Sequence, residues 1–204
     1  MADYPVQVDV VSPPRFDRVQ LLLRILLAIV LGWLGVTAGW LVAVLYATLP
    51  IVAAIAISSE GSDAFTRKVA PALWRVIAWL LEFSGYMSML VDRFPTYEDH
   101  AVKPSIRFGG HPTAGSALSR LITSLPSGLV LAVLWFVSSI LWVIAAVFVL
   151  VGAPMPPAIL AYQRGMLRWQ ARLVAYHASL IDEYPPWSFD TDVPAAPIAS
   201  AGAR

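Results

Sequence analysis

The 204-residue chain contains no cysteine. Disulfides, thiolate metal ligands, cysteine nucleophiles and palmitoylation are therefore excluded. The start, Met1-Ala2-Asp3-Tyr4-Pro5, has no lysine or arginine, so we expect no cleavable signal peptide and an uncleaved first apolar segment. The net charge is only +1, and nucleic-acid binding needs a concentrated positive surface, so the sequence predicts no nucleic-acid partner.

Charged side chains are also rare in this sequence. They make up 13% of the residues, about half of the roughly 25% that is typical of soluble domains. Two long runs, residues 25–59 and 121–163, contain no charge at all. Apolar runs of about 18 residues or more are typical of membrane helices, and the mean hydropathy of the chain is +0.70. The composition therefore predicts an integral membrane protein.

A weak internal repeat links the two halves of the chain. Four residues of the first half recur ninety residues later as a repeat signature: Trp79, Tyr86, Asp92 and Pro95 match Trp169, Tyr176, Asp182 and Pro185. Upstream, Arg24 aligns with Arg120. A fixed-period repeat indicates a tandem duplication. The predicted domains are repeat 1 over residues 1–98, a linker over 99–103, repeat 2 over 104–190 and a disordered tail over 191–204.

Each repeat contains the same three parts in the same order. A short polar segment with strand-like alternation comes first, at residues 5–14 and 104–112. A long apolar transmembrane helix and an amphipathic helix with Trp, Arg and Tyr follow it. We therefore predict an all-α integral membrane protein of two pseudo-twofold repeats, with about four membrane helices.

The apolar segments are too long for one straight crossing, because 35 residues span about 50 Å as a helix and the hydrocarbon core is about 30 Å thick. In the second repeat Pro126 predicts a break, with the crossing over residues 127–151. In the first repeat we predict one crossing at about residues 30–58, kinked at Pro50. The alternative is a two-helix hairpin broken among the glycines at residues 32–39.

The amphipathic helix of repeat 2 carries an arginine stripe, which we define as Arg164, Arg168 and Arg172. A spacing of four residues places them on one helical face. Inserting three arginines alone would cost about 8–10 kcal/mol, so the helix lies in the interface or crosses packed against protein. The stripe is predicted to contact anionic lipid headgroups or a partner acid. Pairing within the protein and a substrate path are the alternatives.

Glu82 of repeat 1 aligns with Arg172 of repeat 2. Equivalent positions near a pseudo-twofold axis face each other, and a fused duplication can diverge to opposite charges there. We therefore predict an inter-repeat salt bridge between Glu82 and Arg172, since each charge is costly alone in an apolar setting. In the alternative, each side chain reaches the headgroups separately.

The sequence contains no pattern typical of catalysis, cofactor binding or metal binding. It has no phosphate loop, no His-Glu-x-x-His and no Gly-x-Ser-x-Gly, and residues 109–112 are interpreted as a turn. His100 and His111 are interpreted as loop residues, whereas His177 is a weak candidate haem ligand without a second helical histidine. Asp92 and Asp182 are predicted to form cap or turn hydrogen bonds. The sequence thus predicts no catalytic residue, no cofactor and no metal.

Topology follows from the repeats. Duplicated polar parts should lie on the same side of the membrane, which requires an even number of crossings per repeat and gives four in total. Basic loops stay cytoplasmic, and the side that holds Arg15, Arg18 and Arg24 has more basic residues. Both termini are therefore predicted to be cytoplasmic. The excess of arginine over lysine favours a bacterial source, and hence a multi-pass protein of the inner membrane.

The expected partners are membrane lipids and other membrane subunits or a second copy of the chain. The predicted function is that of a non-enzymatic structural or accessory subunit of a larger membrane complex or homo-oligomer. The alternative is a protein that handles lipids or small molecules, as a transporter accessory or membrane enzyme, and uses the arginine stripe for anionic groups.

The run from Leu167 to Phe189 resembles the signature of a bacterial membrane family, domain of unknown function 4389. Members have Leu-Arg-Trp, a further arginine, an aromatic residue and Asp-x-Tyr-Pro-Pro-Phe. The matching residues are Arg168, Trp169, Arg172, Tyr176, Asp182, Tyr184, Pro185 and Pro186, with Trp187 in place of phenylalanine. The resemblance covers residues 104–190 well and 5–98 loosely, where Ala78, Glu82 and Thr96 depart from the pattern. It implies a membrane topology but no activity.

Overall fold

The computed structural model describes residues 4–34, 38–95 and 101–189. The predicted tail at 191–204, residue 99 and His100 of the predicted linker, and Tyr97 lie outside the described residues. The described chain is mostly helical, in the order β1 (Val6–Val10), α1 (Arg18–Trp33), α2 (Ala38–Glu60), α3 (Ser62–Ala64), a π-helical turn (Phe65–Val69), α4 (Ala70–Met87), β2 (Val102–Ile106), α5 (Ala114–Thr123), α6 (Leu125–Val151) and α7 (Pro157–His177).

The two strands form an antiparallel ribbon at the segments whose alternation predicted strands, so the fold is mostly helical and not all-α. Val8 lies opposite Pro104 at its centre, and these residues are 96 positions apart, the same offset that relates Arg24 to Arg120. Val6, Val8 and Val102 are buried while the alternate residues are exposed, as expected for a ribbon with one covered face. Each N-terminal segment therefore supplies one strand.

The long apolar segments are broken at different places in the two halves. In the second half α5 ends at Thr123 and α6 begins at Leu125, with Pro126 in its first turn, as predicted. In the first half α1 ends at Trp33 and α2 begins at Ala38, so residues 30–58 do not form the one kinked helix that we predicted. Glycine weakens a helix by about 1 kcal/mol, and three glycines between residues 32 and 39 favour the break there. Pro50 lies inside α2 without ending it.

Two described helices are long and apolar enough to cross a membrane, α2 over Ala43–Glu60 and α6 over Leu125–Val151. Only 28% and 17% of these segments are buried within the chain. Core helices of a soluble protein would be mostly covered, whereas most side chains of α6 and about half of those described in α2 are exposed. The chain therefore carries a large apolar outer surface.

α7 lies between the ribbon and the long apolar helices. On its ribbon side, Arg168 donates to the carbonyl of Val8 at 3.3 Å. Ile159 lies nine residues earlier, which is two and a half turns and hence the opposite side of the helix. Ile159 packs in a buried cluster with Ala145 and Val149 of α6. The chain thus has three layers, with the ribbon outside, α4 and α7 in the middle, and the apolar helices beyond them.

Candidate functional site

The arginine stripe of α7 lies against β1 and the residues that flank it. Arg164 donates from Nη2 to Ser12 Oγ at 2.8 Å, and Arg168 donates from Nε to the carbonyl of Val8. The guanidinium carbon of Arg172 lies 5.3 Å from the centre of the Tyr4 ring, within range of a cation–π contact. All three arginines therefore contact the first half of the chain, which matches the predicted alternative of pairing within the protein. A further contact with lipid headgroups stays a prediction.

Burial changes the acid–base properties of this contact. It raises the pKa of the Tyr4 hydroxyl, an effect that the charge of Arg172 partly opposes. The same hydroxyl donates to the carbonyl of Glu183 at 3.0 Å. Burial also lowers the pKa of Arg164, and the neighbouring charge of Arg168 lowers it further. Tyr4 is thus a neutral hydrogen-bond donor that ties the N-terminal segment to the region after α7.

A buried arginine closes the end of α4. Arg24 of α1 has no exposed surface. It donates from Nε to the carbonyl of Tyr86 at 2.7 Å, and from Nη2 to the carbonyl of Val91 at 2.5 Å and to Asp92 Oδ1 at 3.1 Å. Its guanidinium also lies 4.4 Å from the centre of the Tyr86 ring. The other carboxylate oxygen of Asp92 accepts the backbone N–H of Asp17, just before α1, at 2.7 Å. We call this set the Arg24 clasp.

The same set of contacts recurs at the end of α7. Arg120 of α5 donates to the carbonyl of Tyr176, to that of Ile181 at 2.6 Å and to Asp182 Oδ1 at 2.6 Å. Its guanidinium lies 4.6 Å from the centre of the Tyr176 ring. Asp182 Oδ2 accepts the backbone N–H of His111, just before α5, at 3.1 Å. We call this set the Arg120 clasp.

The two clasps contain four of the eight signature residues, namely Tyr86, Asp92, Tyr176 and Asp182. Asp92 and Asp182, predicted to form turn hydrogen bonds, each accept one backbone N–H and also pair with a buried arginine. Sequence reasoning aligned the two arginines but did not connect them to the aspartates, because more than sixty residues separate each pair. The turns they close also match, since Met89 and Ser179 both adopt a left-handed backbone conformation, with φ of 57° and 60°.

The surroundings of the other four signature residues match between the two halves only in part. Pro95 and Pro185 are both buried. Trp169 is 6% exposed and contacts Trp187 and Phe189, with ring centres 6.2 and 6.4 Å away. Trp79 is 43% exposed and stacks on a phenylalanine of its own helix. The counterpart of Trp187 is Tyr97, which lies outside the described residues. That Trp79 and Trp169 occupy equivalent positions in the two halves therefore stays a prediction.

The predicted partners Glu82 and Arg172 are both buried, but they have different surroundings. Arg172 lies over Tyr4, before the start of β1, whereas Glu82 lies with Ala101 and Val102 at the start of β2. Since the strands are antiparallel, these surroundings belong to opposite ends of the ribbon. The salt bridge between Glu82 and Arg172 stays a prediction that these surroundings do not favour.

His177 belongs to a buried polar cluster at the junction of α2, α5 and α7. Its Nδ1 lies 2.9 Å from Ser124 Oγ and its Nε2 lies 2.7 Å from the carbonyl of Tyr46. The Tyr46 ring stacks on the imidazole at 4.4 Å. Burial lowers the pKa of His177, although its hydrogen bond to Tyr46 partly opposes this. Both ring nitrogens are engaged, so neither is free to ligate a haem.

Two further observations concern ligands. Among the residues that the structure describes, no group of three His, Cys, Asp or Glu side chains is placed to hold a metal ion. An open apolar cleft of about 600 Å³ lies between α2 and α5, lined by Ile51, Ile55, Ala114, Leu118 and neighbouring residues.

The model of the family described as Domain of unknown function (DUF4389) matches residues 115–188. No curated protein and no solved structure matches the chain. The matched segment comprises nearly all of α5, the whole of α6 and α7, and the turn that holds Asp182. It therefore contains both the arginine and the aspartate of the Arg120 clasp. This match supports the resemblance of the second half of the chain to the DUF4389 family.

Proposed function

We propose that this is a non-enzymatic integral membrane protein that serves as a structural or accessory subunit of a larger membrane complex or homo-oligomer. We place it in a bacterial inner membrane with both termini cytoplasmic. The proposal depends above all on the apolar outer surface of α6. Seven large apolar side chains recur on it every three or four residues and are all exposed: Leu129, Val133, Phe136, Ile140, Val143, Val147 and Leu150. Such a stripe is stable only against lipid or a partner protein.

We also propose that the chain arose by tandem duplication. The Arg24 and Arg120 clasps support this, because each joins an arginine near the start of an apolar segment to the turn after an amphipathic helix. The ribbon adds support, since it pairs Val8 with Pro104, its counterpart at the 96-residue offset. Two unrelated halves would have no reason to share these contacts.

The membrane proposal is tested by fractionation. The full chain should sediment with membranes and stay there after alkaline carbonate washing. Replacing Phe136 and Val143 of α6 together by Glu should release at least tenfold more protein, because each charge costs about 2–4 kcal/mol in the apolar phase. Ser105→Glu on the exposed ribbon is the matched control and should release no more than the parent. Carbonate-soluble parent protein would refute the proposal.

The subunit proposal is tested by mass in mild detergent. Light scattering should give a protein mass well above the 22.2 kDa of one chain, from a second copy or from a co-purified subunit identified by mass spectrometry. A protein mass of one chain alone, before and after cross-linking in cells, would contradict this part of the proposal.

A second candidate function, lipid or small-molecule handling, is favoured by the cleft between α2 and α5. Its apolar lining suits an acyl chain. The arginine stripe, which the sequence predicted to bind anionic groups, instead contacts Ser12 and Val8. Filling the cleft with Ala54→Phe should lower the co-purified phospholipid measured by native mass spectrometry. An equal lipid content in parent and variant would count against this function.

A further inference from the structure

We infer that the chain docks on one face of the bilayer and that no helix crosses it. In this arrangement α1, α2, α5 and α6 embed in a single leaflet, and the ribbon lies in water. The inference rests on the proposed function as a membrane protein, and it specifies the partner of the apolar surface as the acyl chains of one leaflet.

The two sides of α7 contact different parts of the chain. Arg168 faces the ribbon. Ile159 and His177 lie nine residues before and after it, so both point to the opposite side of the helix. There Ile159 packs against α6, and His177 contacts Tyr46 of α2. The ribbon and the apolar helices are therefore on opposite sides of the same middle layer.

The outer face of the ribbon carries charged side chains. Its outer face exposes Asp9, Lys103 and, one residue beyond β2, Arg107. Charged groups of this kind cost several kcal/mol each in hydrocarbon, so the outer face of the ribbon must contact water. The membrane normal then runs from the apolar helices through α7 to the ribbon, and helices that lie along the middle layer are parallel to the membrane plane.

α6 contacts the middle layer, or the turn that follows α7, along its whole length. Near its start Ser127 Oγ lies 2.6 Å from the Tyr184 hydroxyl, and in its middle Ser138 donates to Gln163 Oε1 at 2.6 Å. Near its end Val149 packs in the cluster of Ile159. A crossing helix would leave this layer at one end, but α6 stays beside it at both.

In the first half, the apolar segment leaves the middle layer after Arg24 in α1 and contacts it again in α2. Between the buried residues Arg24 and Leu49, no residue with a described side chain is buried and none carries a charge. α1 extends nine residues beyond Arg24, which is about 14 Å and roughly half of a hydrocarbon core of about 30 Å. α2 then returns to the middle layer at Leu49. α1 therefore ends within about the depth of one leaflet from Arg24.

The contacts of Arg164 conflict with the four-crossing topology. That arrangement puts Arg164 and Ser12 on opposite sides of the membrane, but Arg164 Nη2 lies 2.8 Å from Ser12 Oγ. A hydrocarbon core of about 30 Å cannot separate two groups in contact. The ends of the helices agree with this, because a Cβ on Gly152, at the end of α6, would lie 2.9 Å from the guanidinium of Arg18 at the start of α1.

The absence of cysteine makes a labelling test direct. Single variants Ser105→Cys on the ribbon, Ser59→Cys at the end of α2 and Ala158→Cys at the start of α7 are treated with a membrane-impermeant maleimide in intact host cells and in inverted vesicles. All three should label from the same side, with at least tenfold more label there than from the other. Labelling of Ser59→Cys or Ala158→Cys from the side opposite to Ser105→Cys would overturn the inference in favour of crossing helices. Reaction in detergent confirms that each thiol is reactive.

The identity of the partner is tested at the middle of α6. A fluorophore on Ser139→Cys should be quenched at least twofold by nitroxide lipids, and Ser139→Cys should resist the impermeant maleimide from both sides. A fluorophore that nitroxide lipids do not quench would show that another protein or a second copy covers α6, which overturns the lipid assignment. Failure of the parent chain to sediment with membranes would instead refute the proposed function itself, before any labelling.

Discussion

Arg24 and Arg120 each solve the same local problem at the end of a helix. The last carbonyls of a helix have no partner within it, and they carry partial negative charge. Tyr86 and Tyr176 supply such carbonyls at the ends of α4 and α7, and each accepts from a buried guanidinium. A guanidinium has five N–H donors in a fixed plane, so it can also reach the following turn and an aspartate. A lysine has no such geometry.

At the residue scale we first expect Arg120→Gln to destabilise the protein strongly. The substitution removes the charged donor shared by the carbonyls of Tyr176 and Ile181 and by Asp182, and each hydrogen bond to a charged group contributes about 1.5–3 kcal/mol. The measurement is the thermal midpoint in mild detergent, which should fall by roughly ten degrees. Arg67→Gln removes an exposed arginine and should shift the midpoint by no more than about two degrees. Equal shifts for the two variants would contradict a structural role for the Arg120 clasp.

Adjacent glycines provide a second, sharper comparison. Gly110 has φ of +98°, and a Cβ there would lie 1.9 Å from Asp182 Oδ2, whereas a Cβ on Gly109 meets nothing within 4 Å. We expect Gly110→Ala to cost about 1–3 kcal/mol and Gly109→Ala to be nearly neutral in the same thermal assay. Equal midpoints for the two alanine variants would contradict the prediction, because Asp182 would then not be held against Gly110.

His177 predicts a pH dependence. Burial lowers its pKa below the ordinary value of about 6.5, so the unfolded chain takes up a proton at a higher pH than the folded chain. The neutral imidazole therefore makes its full contribution to the free energy of unfolding above about pH 6.5. This contribution decreases as the pH falls towards the pKa of His177 in the folded chain. Between pH 8 and pH 5 the thermal midpoint of the parent should fall more than that of His177→Gln. Parallel falls would assign the pH dependence to other groups.

At the scale of elements, the sequence predicted α7 well because its pattern is local. Arginine every four residues places Arg164, Arg168 and Arg172 on one face, and the structure keeps them there. What covers that face could not be predicted, because the covering strand lies more than 150 residues away in the chain. The helix break in the first half was misplaced for a different reason, since several glycines and Pro50 all offered a break and local propensity does not rank them.

The contact between β1 and α7 can be tested directly. Arg168→Ala removes the side chain that donates to the carbonyl of Val8. It also gives the residue found at the equivalent position of the first half, Ala78, whose side chain has no hydrogen-bond donor. Hydrogen exchange of the amides of Val6 to Val10 should become several-fold faster, while that of β2 changes less, because a lost hydrogen bond lowers local stability by about 1 kcal/mol. Unchanged protection of β1 would show that the arginine stripe does not hold the strand.

At the scale of the whole molecule, composition alone indicated a membrane protein and a weak repeat indicated two halves. The arrangement of the halves was beyond the sequence, because it depends on which N-terminal segment covers which helix. β1 of the first half lies under Arg168 and Arg172 of the second, and a Cβ on Gly85 of the first half would meet Val102 of β2 at 2.7 Å. The two halves therefore exchange strands, a feature that no local pattern encodes.

This exchange predicts how the chain behaves when it is cut. Residues 1–98 and 99–204 expressed separately each leave buried apolar surface of the ribbon and of α4 or α7 without its partner, so each alone should be degraded or should self-associate. Expressed together, the two fragments should co-purify at equal ratio, because the ribbon and the packing of α4 on α7 supply an interface. Val8→Asp, which buries a charge at the centre of the ribbon, should abolish co-purification, whereas Asp9→Asn on its exposed face should not. Two fragments that are each stable and monodisperse alone would show that the halves fold independently, and the exchanged strands would then be a contact rather than a requirement of the fold.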